Sequence, residues 1–151
     1  MALWDRFKQS AQSMQSQLVA KKNDLKSGAF RDASMAICAL VAAADGSIDQ
    51  AETAKVAQLI GSNEVLQNFD RTDLERRFHG YANQLSADFQ VGKVQVMQEV
   101  AKAKKKQDEA RAVIQIGIVI GGADGNFDPQ ERAVVREACF ALGINPAEFD
   151  L

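Results

Sequence analysis

Hydrophobic and polar positions follow helical spacing along almost the whole chain. In the first segment, apolar residues recur three, four or seven positions apart, which is the spacing that lines one face of an α-helix. They are Leu3, Phe7, Ala11, Met14, Leu18 and Leu25. No stretch alternates strictly between apolar and polar residues, and proline occurs only at positions 129 and 146. The pattern predicts an all-α protein.

The same spacing predicts about seven helices joined by short connections. We expect helices at about 2–25, 29–44, 50–60, 88–106, 108–121 and 129–142, another from a cap at Asp70 or Thr72 to about Leu85, and a short one at 63–69. The helix at 29–44 carries AICALVAAA, which is apolar nearly all round and should therefore be central. We divide the chain into an N-terminal amphipathic helix at 1–27 and a helical domain at 28–151.

Composition and charge restrict the binding partners and the cellular location that we expect for the protein. The chain has 151 residues, of which 46% are hydrophobic, enough to bury a core without metals or disulfides. Its formal net charge of −2 gives no reason to expect nucleic acid. The N-terminus lacks a signal-peptide core, and the longest apolar run, 112–123, is too short to span a bilayer. We expect a cytoplasmic protein with no direct membrane insertion.

An acidic motif, DGxxDxxE, occurs twice. The segments AADGSIDQAE at 43–52 and GADGNFDPQE at 122–131 share Asp, Gly, an apolar residue, Asp and Glu at matching places. Each is preceded by an apolar helix and followed by an amphipathic one. We therefore predict a compact bundle of two duplicated helix-loop-helix halves with approximate two-fold pseudosymmetry, and with its repeat loops at 45–52 and 124–131.

Helix capping accounts for much of this motif. The glycine can take the left-handed conformation that ends a helix, the second aspartate can cap the next helix, and the glutamate can close a capping box. These positions are Gly46, Asp49 and Glu52 in the first loop and Gly125, Asp128 and Glu131 in the second. Capping does not explain the first aspartate of each loop, because a carboxylate is unfavourable at the negative end of the preceding helix.

A cation site is the alternative account of the motif. Neither loop is an EF-hand, because positions 1 and 3 would be Val41 and Ala43, or Ile120 and Gly122. If the two halves pack about a pseudo-dyad, six carboxylates would converge and could bind Ca²⁺ or Mg²⁺ weakly, or a basic partner. The candidate metal ligands are Asp45, Asp49, Glu52, Asp124, Asp128 and Glu131.

The two loops and the apolar helices before them, RDASMAICALVAAADG and VIQIGIVIGGADG, resemble the TerB family of tellurite-resistance proteins over about residues 28–144. The resemblance implies a helical bundle that acts without catalysis in a tellurium-resistance and stress-response system. It also implies a TerC-like integral membrane protein and TerD-like proteins as partners, with peripheral association at the inner membrane through such a partner. No catalytic residue is carried over.

Other candidate chemistry is sparse. Cys38 and Cys139 lie in apolar helical stretches without a CxxC motif, so packed thiols are the simpler interpretation and a thiol-based tellurite reductase or sequestering protein is the alternative function. The single histidine, His79, is most simply a packed or surface residue. The first helix with the KAKKK run at 102–106 could instead form a peripheral membrane anchor, although its polar face is rich in Gln and Ser rather than basic.

Overall fold

The computed structural model describes residues 3–123, 125 and 127–151, with side chains from Ser10 onward. In this part of the chain there are seven α-helices and no β-strand, which confirms the predicted all-α fold. The helices are α1 (Leu3–Ala20), α2 (Gly28–Ala42), α3 (Gln50–Ser62), α4 (Arg71–Ala87), α5 (Phe89–Val100), α6 (Gln107–Gly121) and α7 (Pro129–Leu142).

Helix α2 is the centre of the bundle. Every residue from 32 to 42 is buried, as the uninterrupted apolar sequence predicts. The helix packs most extensively against α4 and α6, and it also contacts α3, α5 and α7. Ser27 caps its N-terminus by accepting a hydrogen bond from the Phe30 N–H. Helices α3 to α7 are thereby arranged around one buried rod.

Helix α1 forms an outer layer on α6. Its Met14 and Leu18 are buried, while the Leu3 and Phe7 side chains of the predicted stripe lie outside the described residues. Side-chain amides add polar contacts, with Gln115 donating to Gln17 at 2.8 Å. The helix ends at Ala20, earlier than predicted, and a 3₁₀ helix at Lys22–Asp24 leads to the buried Leu25.

Helix α5 is shorter than the predicted segment at 88–106. It ends at Val100, and the chain continues as a 3₁₀ helix, Ala101–Lys105. This tighter turn buries Ala103 and leaves the lysines around it exposed. The connection at 63–69 likewise contains only a 3₁₀ helix, Leu66–Asn68.

No helix in the described residues is long and apolar enough to cross a membrane. The duplication, the pseudo-two-fold axis and the domain division at residues 27 and 28 stay predictions.

Candidate functional site

The first acidic loop joins α2 to α3. Gly46 has a φ of +88°, in the left-handed region as predicted. The Asp45 carboxylate is turned back on its own loop, where Oδ1 accepts hydrogen bonds from the Ser47 N–H at 3.1 Å and the Ser47 hydroxyl at 3.2 Å. This turn gives Asp45 a local structural role, while its side chain remains exposed at the surface.

The second acidic loop joins α6 to α7. Gly125 has a φ of +85°, close to that of Gly46. Phe127 is buried, as expected of an apolar residue placed just before a helix cap. Asp124, one of the six predicted ligands, lies outside the described residues.

Both predicted caps are present, but they differ in detail. Asp128 Oδ1 accepts from the Glu131 N–H at 2.8 Å, and Glu131 Oε1 accepts from the Asp128 N–H at 3.2 Å, which completes a capping box. At α3, Asp49 Oδ1 accepts from the Ala51 N–H at 2.8 Å instead. The capping box predicted for Asp49 and Glu52 is therefore wrong, whereas the one predicted for α7 is confirmed.

The last acids of the two loops meet at one small cavity. Glu52 from the first turn of α3 and Glu131 from the first turn of α7 both line it, together with Lys55 one turn beyond Glu52. Val41 of α2 and Ile120 of α6 form part of its apolar wall. Its volume is about 20 Å³, which accommodates a single water-sized sphere.

Only some of the predicted ligands come together in this cavity. Glu52 and Glu131 line it, but Asp45, Asp49 and Asp128 do not. Within the described ranges there is no group of three or more His, Cys, Asp or Glu side chains arranged to hold a metal ion. Two carboxylates line the cavity, and their oxygens suit a hard divalent cation. Lys55 lines it as well, and its positive charge opposes such an ion.

The two thiols lie apart from this cavity. Cys38 on α2 and Cys139 on α7 are both fully buried. Burial raises the pKa of Cys139 to about 11 and raises that of Cys38 still further. Neither thiol has the exposure or the thiolate character that a nucleophilic or metal-capturing cysteine needs.

An acid that sequence analysis missed is Asp32 on α2, which is only 8% exposed. Three cations surround its carboxylate: Arg31 Nε at 3.0 Å, Arg77 Nη1 at 3.2 Å and Lys102 Nζ at 3.3 Å. These pairs tie the central helix to α4 and to the 3₁₀ helix after α5. The available signal was an aspartate at the start of a helix that is apolar throughout 35–42, because a carboxylate buried there requires compensating charge.

A second acid, Asp73 on α4, extends the same network. Arg77 Nε donates to its carboxylate at 3.0 Å, and Arg76 also donates to it. These hydrogen bonds, Arg77's first, lower the pKa of Asp73. The Tyr81 hydroxyl donates to Glu99 at 3.0 Å nearby, and burial raises the pKa of that tyrosine. Arg77 pairs with both Asp32 and Asp73, so the arrangement is an ionic clamp between α2 and α4 rather than an open site.

Comparison with known proteins identifies the family. The family described as tellurite resistance protein TerB matches residues 31–151, which include both acidic loops and almost all of α2 to α7. The tellurium resistance protein TerB of Alcaligenes sp. is 24% identical over 118 residues, which cover 78% of this chain and 97% of that protein. No solved structure gives a significant match. The chain therefore belongs to the TerB family of tellurite resistance proteins.

Proposed function

We propose that the protein is a non-enzymatic component of a tellurite-resistance and stress-response system, and that it binds a divalent cation at the cavity between its two acidic loops. Membership of the TerB family supports the association with tellurite resistance. The observation that carries the binding proposal is that Glu52 and Glu131, one from each motif, line the same cavity.

The chemistry of the cavity favours a hard cation of modest affinity. Two carboxylates completed by water molecules are a donor set that Mg²⁺ commonly takes, whereas Ca²⁺ requires additional oxygens. Because the cavity itself holds one water-sized sphere, those waters would have to lie on its exposed side, where Glu52 is. Lys55 and the positive N-termini of α3 and α7 reduce the attraction for a cation, so binding should be weak.

A basic protein partner is the second candidate for the same acidic surface. The exposure of Glu52 supports it, as does that of Asp45 and Asp49 in the same loop, because a basic side chain can reach these carboxylates from solvent even though Lys55 lies beside Glu52. A TerC-like integral membrane protein and TerD-like proteins are the partners proposed from the family resemblance. The alternative function as a thiol-based tellurite reductase has no support from Cys38 and Cys139, because both are buried.

The test is a titration of Ca²⁺, and separately of Mg²⁺, into ¹⁵N-labelled protein while backbone amide shifts are followed. The variant is Glu52→Gln with Glu131→Gln, since glutamine keeps the capping hydrogen bond of α7 but removes the charge. Glu64→Gln is the matched control, at an exposed glutamate that lies outside this cavity. We expect saturable shifts confined to 44–52 and 123–131, lost in the double variant and kept in the control.

Loop amides that do not shift up to millimolar cation would refute the cation proposal. The double variant then tests the basic-partner alternative in cells. If Glu52→Gln with Glu131→Gln folds normally but loses tellurite resistance, the acidic surface acts through a partner. If resistance is retained, neither form of the proposal stands.

A further inference from the structure

An open apolar groove runs between α5 and α7, at the opposite end of α7 from the acidic cavity. It has a volume of about 630 Å³ and apolar walls that include Phe89, Val94 and Met97 of α5 and Ala141 of α7. Six positions separate Glu131 at the acidic cavity from Glu137, the nearest groove residue on α7, so the two features lie about 9 Å apart along the helix axis and share no lining residue. The groove is independent of the proposed cation site.

The exposed large hydrophobic side chains of the described chain are all on these two helices. Val91 is 53% exposed, Val94 is 61% exposed and Phe140 is 67% exposed. Val94 lines the groove directly. Val91 lies three positions before Val94, and Phe140 lies three positions after the groove residue Glu137, which places each on the same helix face as a groove residue. Single exposed apolar residues are ordinary, but several beside one apolar groove indicate an interaction surface.

Charge is distributed unevenly along the groove. Across its walls, Lys93 and Glu137 pair at 2.8 Å and so neutralise each other. At the other end the groove is lined by Ala101, from which the chain continues through Lys104, Lys105 and Lys106. These three lysines are exposed and form no ion pair with any described residue. The ammonium-bearing end of Lys104 lies over the C-terminus of α7, where its Cε would be 3.5 Å from a β-carbon at Gly143.

We infer that this groove binds an amphipathic helix of a partner protein, with apolar residues in the groove and acidic residues at the lysine end. The α5 side of the groove, from Phe89 to Ala101, extends about 18 Å, which matches about three turns of a bound helix. Helix-in-groove binding uses apolar anchors three and four residues apart, and acidic residues at one end would complement the three lysines.

Two other occupants fit these features less well. A flat membrane surface would leave the concave walls between α5 and α7 unfilled, although anionic headgroups could contact the lysines. In a two-fold contact between two copies of this chain, each lysine cluster would meet the other groove, whose acidic lining residue Glu137 already pairs with Lys93. A second copy therefore offers the lysines no acidic complement there.

The probe is a fluorescent helical peptide of about 14 residues with leucines spaced three and four positions apart and three glutamates in its first turn. A matched peptide carries lysines in place of those glutamates. We expect the acidic peptide to bind saturably with a micromolar dissociation constant, and to shift only the amides of α5, of residues 101–106 and of α7. The lysine peptide should bind at least about tenfold more weakly.

Two pairs of variants test the groove and the lysines separately. Val94→Glu should abolish binding, whereas Gln95→Glu, its exposed neighbour outside the groove, should preserve it. Lys104→Glu with Lys105→Glu should weaken binding at least about tenfold, whereas Lys26→Glu, an exposed lysine elsewhere, should not. Each variant is first checked for native helicity.

Several results would overturn the inference. Equal affinity for the acidic and lysine peptides, shifts outside the groove, or no saturation would each refute it. Val94-dependent sedimentation with phosphatidylserine vesicles in the absence of peptide binding would identify a membrane as the occupant instead. Val94-dependent dimerisation in analytical ultracentrifugation would identify a second copy. A failure of the cation titration leaves this inference untouched, because none of these variants changes the acidic cavity.

Discussion

Gly92 of α5 lies directly against the carbonyl of Gln84 on α4, so that a β-carbon at position 92 would stand 2.8 Å from the Gln84 carbonyl carbon. The obstacle is backbone, which cannot move aside as a flexible side chain would. Helices α4 and α5 can therefore pack this closely only because Gly92 has no side chain.

The first prediction is that Gly92→Ala lowers the free energy of unfolding by about 1–3 kcal/mol, the usual cost of overpacking. Gly80→Ala is the matched control, because Gly80 is also helical but has no atom within 4 Å of the added β-carbon. Because alanine has a higher helix propensity than glycine, Gly80→Ala should raise the free energy of unfolding by about 0.5–1 kcal/mol. Chemical denaturation followed by circular dichroism measures both. Equal effects of the two substitutions would contradict this account.

The second prediction concerns the two caps. Asp128→Ala should lower the free energy of unfolding by about 1–2 kcal/mol, and Asp49→Ala by a smaller amount within the usual range for caps. The difference arises because Asp128 takes part in a reciprocal capping box with Glu131, whereas Asp49 accepts one hydrogen bond from Ala51. Urea denaturation of both variants tests the order. A larger loss for Asp49→Ala would mean that its cap is stronger than its geometry indicates.

Local features of the acidic loops could be predicted from sequence because they depend on neighbouring residues. The left-handed Gly46 and Gly125 and the caps at Asp49 and Asp128 all follow from residues within one helical turn. The absence of a capping box at α3 shows where such local prediction fails. Asp49 accepts a hydrogen bond from the Ala51 N–H rather than from the Glu52 N–H that the motif spacing predicts.

Features that depend on distant residues could not be predicted. Lys102, which pairs with Asp32, lies 70 positions further along the chain, and no local pattern links the two. Phe140 belongs to a helix with a clear apolar face, yet it is 67% exposed because that face is formed by residues such as Val135 and Cys139. The groove beside it results from how α5 and α7 pack, which helical spacing alone does not determine.

The third prediction is that both cysteines are unreactive in the folded protein. A thiol reagent such as dithionitrobenzoate should label Cys38 and Cys139 only under unfolding conditions, since both are buried and their pKa values are raised. Ser86→Cys provides an exposed thiol on α4 as a positive control. Rapid labelling of either thiol in the folded protein would support the thiol-based function. Loss of tellurite resistance after both cysteines are replaced by alanine, in a protein that still folds, would also support it.

The fourth prediction is that the ionic clamp around Asp73 weakens in acid. Hydrogen bonds from Arg77 and then Arg76 lower the pKa of Asp73 below its unfolded value of about 3.9. The clamp's contribution to stability is therefore fully present above pH 4 and is lost as pH falls through the lower, folded pKa. Asp73→Asn removes that contribution, so the variant should be less stable than the parent protein at neutral pH and should approach it in stability as the solution becomes more acidic.

Denaturation of both proteins between neutral pH and pH 2.5 measures this difference. Asp24→Asn is the control, because Asp24 is exposed and forms no ion pair within the described residues. Its stability difference from the parent should stay small across the range. If the difference in free energy of unfolding between Asp73→Asn and the parent instead widens below pH 4, the pKa of Asp73 in the folded protein is raised. Asp73 would then favour its neutral form, and Arg77 and Arg76 could not be acting as its stabilising partners.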